Sequence, residues 1–180
     1  MQPTGLDFQQ NFFELFSLPK LYRLNNARLE QQYHTLQMQV HPDKFAHLSD
    51  AERRVSMQWA TRANEAYQTL RNPVNRARYL LGLCGIDTQE ETNTSMPMEF
   101  LMEQMEWREA VEKAQHSNDI GELDNLEARL SEEVKFLQES LAVKIDDEQS
   151  YAAAAEVVRK LRFMEKLEEE IESAFDMIDS

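Results

Sequence analysis

Residues 29–70 read LEQQYHTLQMQVHPDKFAHLSDAERRVSMQWATRANEAYQTL, and the interruption at His41-Pro42-Asp43-Lys44 divides them into two helical patterns. Before it, Leu29, Tyr33, Leu36 and Val40 recur at spacings of 4, 3 and 4. That puts them on one face of a helix, which Asn25 or Asn26 can cap. Pro42 ends the pattern, because it lacks a backbone N–H and drives the residue before it out of helical geometry. After the interruption, Ser49 and Glu52 have capping-box spacing, and Val55, Trp59, Ala63, Ala66, Tyr67 and Leu70 follow as the next apolar stripe. Two amphipathic helices joined by a loop at 41–49 predict an antiparallel pair.

Towards the N-terminus, Leu6, Phe8, Phe12, Phe13, Leu15 and Phe16 predict a short helix that Leu18-Pro19 must end. On the other side, Asn72-Pro73 reads as an N-cap followed by proline at the first helical position, opening a fourth helix through Tyr79, Leu80 and Leu81. Gly82 to Gly85 punctuate the chain, and the polar run IDTQEETNTSM at 86–96 carries no stripe, so residues 85–97 read as a linker. Beyond it, Pro97 opens a helix to about Gln115, with a break at Ser117-Asn118-Asp119. A long stripe follows through Leu123, Leu126, Leu130, Val134, Leu137, Leu141 and Ile145. A turn at Asp146 to Ser150 precedes a last stripe of Val157, Leu161, Met164, Ile171, Phe175 and Ile178. The expected fold is all-α: a four-helix N-terminal domain at 1–84, the linker at 85–97, and a three-helix antiparallel bundle at 98–180.

Composition agrees, since 180 residues hold only 4 Gly and 5 Pro, and no strand is required. The single Cys84 excludes an intrachain disulfide and any zinc module of several cysteines. No run approaches the roughly 18 apolar residues of a spanning helix and no secretory signal opens the chain, so a cytoplasmic protein with no membrane partner is expected. The net charge of -14 disfavours nucleic acid. Its distribution is uneven: residues 1 to 84 hold 10 Lys and Arg against 7 Asp and Glu, a net of +3, which leaves -17 for the rest. The acidic half is either plain solvated helix surface or a second module with its own partner. A metal-dependent hydrolase or metal carrier would have to use His34, His41, His47 and His116. No His-x-x-x-His pair occurs, and no phosphate-binding glycine loop does, so no catalytic residue, metal or cofactor is expected.

The loop His41-Pro42-Asp43-Lys44 with Phe45, the segment Asn64-Glu65-Ala66-Tyr67 and the run Leu70-Arg71-Asn72-Pro73 together resemble the J domain of DnaJ-type co-chaperones, over residues 10 to 80. The resemblance implies that this corner docks on the ATPase of a heat-shock chaperone and stimulates its ATP hydrolysis. The residues suit that role: Asp43 presents a carboxylate at a tight corner, where an arginine can bind it through two hydrogen bonds. Read without the flanking segments, the same triplet is an ordinary helix-ending turn. J domains usually bring basic residues on the second helix, whereas here Arg28 is the only one between Asn25 and Val40. Lys44, Arg53 and Arg54 flank the loop and can supply the missing charge.

The second half resembles the HscB family of iron-sulfur cluster co-chaperones through Phe100-Leu101-Met102-Glu103-Gln104-Met105-Glu106 and Val158-Arg159-Lys160-Leu161-Arg162-Phe163, joined by Arg76-Ala77-Arg78-Tyr79-Leu80-Leu81 in the first half. That family implies two partners, an HscA-type chaperone ATPase and an IscU-type cluster scaffold. Helical geometry adds an independent observation: Met98, Leu101, Met102 and Met105 share one face, and Phe100, Trp107, Val111 and Ala114 share another roughly 120° away. One bundle seam cannot bury both. The flexible Leu/Met face, rimmed by Glu106 and Glu109, suits an adaptable partner site. Phe163, about a quarter turn off its stripe, is expected to be exposed beside it. The bland alternative is that these methionines are packing filler. The alternative function is a general J-domain chaperone, a holdase for unfolded clients.

Overall fold

Among the described residues, 7–40, 49–88 and 97–178 of a computed structural model, the regular structure is helical throughout. The α-helices are α1 (Phe12–Leu15), α2 (Asn26–Val40), α3 (Asp50–Arg71), α4 (Pro73–Leu83), α5 (Met98–His116), α6 (Ile120–Ala142) and α7 (Tyr151–Ile178). The chain divides into two units between Leu80 and Leu81, inside α4.

In the first unit α2 and α3 pack together. Leu29, Tyr33, Leu36 and Val40 of α2 and Trp59, Ala63, Ala66 and Leu70 of α3 are all buried, as their spacings predict. The pair is antiparallel, since Tyr33 stacks on Tyr67 with centroids 4.1 Å apart while Val40 meets Ser56. Asn25 is the residue that caps α2, its Oδ1 accepting from the Arg28 N–H at 3.0 Å. The Ser49–Glu52 capping box is formed. Asn72 opens α4 by accepting from the Asn75 N–H, with Pro73 as the first helical residue. α1 ends earlier than Pro19 requires: Ser17 turns left-handed at φ 51, and the Leu18 N–H donates back to the Phe13 carbonyl. Tyr79 of α4 stacks on Phe12 and accepts its backbone N–H at 3.0 Å. Burial pushes this phenol up, partly offset by that hydrogen bond.

In the second unit α5, α6 and α7 each pack on the other two. With connections as short as Ser117–Asp119 between them, they form the expected antiparallel three-helix bundle. Asn118 ends α5 in the left-handed conformation at φ 51, and the Asp119 carboxylate caps α6 through the Glu122 N–H. The expected turn at Asp146 is displaced, because α6 runs on through a π-helical turn, Val143–Asp147, that keeps Ile145 in the core. Gly85, at φ +78, closes α4, and the Ile86 N–H reaches back to the Leu81 carbonyl. Thr88 is buried, its carbonyl accepting from Arg159 of α7 at 3.1 Å, so the first residues of the 85–97 segment are packed.

Candidate functional site

The first candidate site lies where α2 ends and α3 begins. His41, Pro42, Asp43 and Lys44 fall outside the described residues; what is described is the frame on either side of them. The last carbonyls of a helix have no partner within it. At Val40 the deficit is met by the buried Ser56 hydroxyl of α3, which donates to the Val40 carbonyl and ties the two helix ends together. Further from the loop, the Tyr33 hydroxyl donates to Asn64 Oδ1 at 3.3 Å and accepts from Gln37 at 2.6 Å. Asn64 and Tyr67 thus fix the α2–α3 register.

The basic candidates separate. Arg53 and Arg54 are exposed near the start of α3, beside the loop, with Arg53 ion-paired to Asp50. Arg28 is exposed at the opposite end of α2, twelve residues before Val40 and so about 18 Å away along the axis. The sequence reading missed Ser56 and the buried Arg76, which donates to the Leu70 carbonyl at 2.8 Å and covers the Tyr22 ring.

The second candidate site is α5, whose two faces separate as expected. Phe100, Trp107, Val111 and Ala114 are buried against the bundle. Leu101, Met102 and Met105 are exposed, at 37%, 57% and 64%, with Met98 beside them at 71%. Glu106 and Glu109 are exposed on the same side of the helix.

Phe163 differs from the expectation. It is half-buried, its ring edge-on to Phe100 at 5.6 Å and covered by the Arg108 guanidinium at 5.3 Å. Lys160 lies 5.2 Å over Phe100, and Arg108 also reaches Glu170 at 3.4 Å. The physical reason is the cation: a guanidinium over an aromatic face is favourable and shields the ring. Arg108, seven residues after Leu101 and three after Met105, shares their side of the helix, which brings Phe163 to the flank of that apolar face. The position of Arg108 in register with the face is the signal that could have found it. Among the described residues no group of three His, Cys, Asp or Glu side chains is placed to hold a metal, and no helix is long and apolar enough to cross a membrane.

Residues 96–172 match the family model described as the HSCB C-terminal oligomerisation domain. The chain is 51% identical over 176 residues to the co-chaperone protein HscB homolog of Aromatoleum aromaticum, covering 98% of this chain and 99% of the relative. Among solved structures it resembles chaperone HscB from Vibrio cholerae, with a TM-score of 0.83 and 35% identity over 94% of this chain and 99% of that one. It also resembles the human co-chaperone protein HscB, with a TM-score of 0.87 and 30% identity over 93% and 83% of the two chains. Identity at this level along nearly the whole length, with the same all-α arrangement, means that this chain belongs to the HscB family of co-chaperones.

Proposed function

We propose that this protein is a two-module adaptor for iron-sulfur cluster assembly, which delivers an IscU-type scaffold to an HscA-type chaperone and stimulates the chaperone's ATP hydrolysis. The first module, residues 1–84, engages the chaperone through His41, Pro42 and Asp43, with Lys44, Arg53 and Arg54 adding positive charge beside the loop. Arg28, at the far end of α2, contributes at the edge of the contact. The second module, residues 98–180, holds the folded scaffold on Leu101, Met102, Met105 and Phe163, with Glu106 and Glu109 at the rim. The observation that carries the reading is the α5 face: four large apolar side chains, Met98, Leu101, Met102 and Met105, are exposed on a helix whose other side is packed against the bundle. An apolar patch of that kind marks a partner surface. The protein makes and breaks no bond itself; ATP hydrolysis belongs to the chaperone.

The test is the ATP turnover of the chaperone with the full chain carrying His41→Gln. Stimulation is expected to fall to the unstimulated rate while helicity and melting stay as in the parent. Stimulation that survives the substitution overturns the role given to the loop.

A further inference from the structure

Six methionines are exposed among the described residues, and three of them, Met98, Met102 and Met105, share the apolar face of α5. Leucine would give the same apolar contact, so the sulfur adds a property of its own: adaptability in packing, and a lone pair open to two-electron oxidants. We propose that Met102 and Met105 are a modification site, at which a peroxide-class oxidant converts the thioethers to sulfoxides and releases the folded partner. The proposal rests on the reading that this face binds the scaffold.

The step is balanced: with hydrogen peroxide the sulfur lone pair attacks one oxygen, the S–O bond forms as the O–O bond breaks, and the proton on the transferred oxygen passes to the departing hydroxide, which leaves as water. Sulfur is oxidised by two electrons and the peroxide is reduced. The new S=O group is a strong acceptor on a surface that must be desolvated for binding, and burying it without a donor is costly. Glu106 and Glu109, which flank the two methionines, carry only acceptors when ionised, and Arg108, the donor on that side of the helix, is engaged by Glu170 and the Phe163 ring. The fold has no stake in these sulfurs, since Met102 and Met105 stand in solvent while Met164, 1% exposed, is the methionine in the bundle core. Met38, Met57 and Met177, exposed at 62%, 60% and 62% on other helices, are built-in controls.

The full chain is treated with hydrogen peroxide, its sulfoxides are located by peptide mass spectrometry, and its affinity for the scaffold is measured by calorimetry. Oxidation at Met102 and Met105 is expected to weaken binding at least tenfold with helicity unchanged, and methionine sulfoxide reductases to restore it. The Met98→Leu/Met102→Leu/Met105→Leu chain, compared with its own untreated affinity, is expected to lose none of it under the same treatment, although Met38, Met57 and Met177 are oxidised. Undiminished binding by the oxidised parent overturns the proposal, as does an equal fold-loss on oxidation of the triple leucine variant. If Leu101→Ala leaves the untreated chain's affinity unchanged, the underlying face reading falls, and the proposal with it.

Discussion

Ser56 illustrates what a single hydroxyl does at the end of a helix. It occupies the same stripe of α3 as Trp59, Ala63, Ala66 and Leu70, a place where an apolar residue would ordinarily sit, and it is buried there because the Val40 carbonyl needs a donor. Ser56→Ala would leave that carbonyl unsatisfied inside the first unit. The expected loss is about 1–3 kcal/mol of that unit's stability, read by urea titration of Trp59 fluorescence in a Trp107→Phe background. Val55, the apolar neighbour that the periodicity favours, is only half-buried. The apolar positions of α2 and α3 were legible because 3.6-residue periodicity reports the buried face directly. Ser56 and Arg76 were not, because their burial is dictated by carbonyls contributed from other turns and helices, Val40 and Leu70, which no local pattern encodes. Phe163 was half legible: its offset from the stripe is real, but the cation that covers it comes from α5.

At the scale of the element, α5 carries the clearest separation of core from surface. Leu101→Ala/Met105→Ala removes side chains that pack on solvent, so it is expected to weaken scaffold binding by several kcal/mol while changing bundle stability by less than about 1 kcal/mol. Leu126→Ala, in the core of the same bundle, is expected to do the reverse, costing about 2–5 kcal/mol of stability with scaffold affinity intact in the folded chain. Calorimetric binding and denaturant titration of both variants read the contrast, and a core-like loss of stability in the α5 variant would mean that its methionines are packing after all. Helix ends were largely readable, because Ser49, Asn72 and Asp119 are capping residues at the right offsets. The π-helical turn at Val143–Asp147 was not, since the sequence there continues an ordinary stripe into Ile145, and the extra residue in the turn is set by packing against α7.

Across the whole molecule, charge and topology tell the same story. The first 84 residues are mildly basic and the remainder is strongly acidic, so the two stretches carry net charge of opposite sign. In the function proposed above, joining both partners through one chain would raise the effective concentration of each for the other, with no chemistry by the adaptor itself. The proposed division of labour rests on one signature in each half of the sequence, a loop motif in the first and a surplus apolar face in the second. The measurement that tests this most directly is the steady-state ATP turnover of the chaperone with the parent chain and with Leu101→Ala/Met105→Ala, each with and without scaffold. The account predicts that both chains stimulate equally when scaffold is absent and that scaffold enhances stimulation only with the parent. Full enhancement by scaffold with the α5 variant would contradict it.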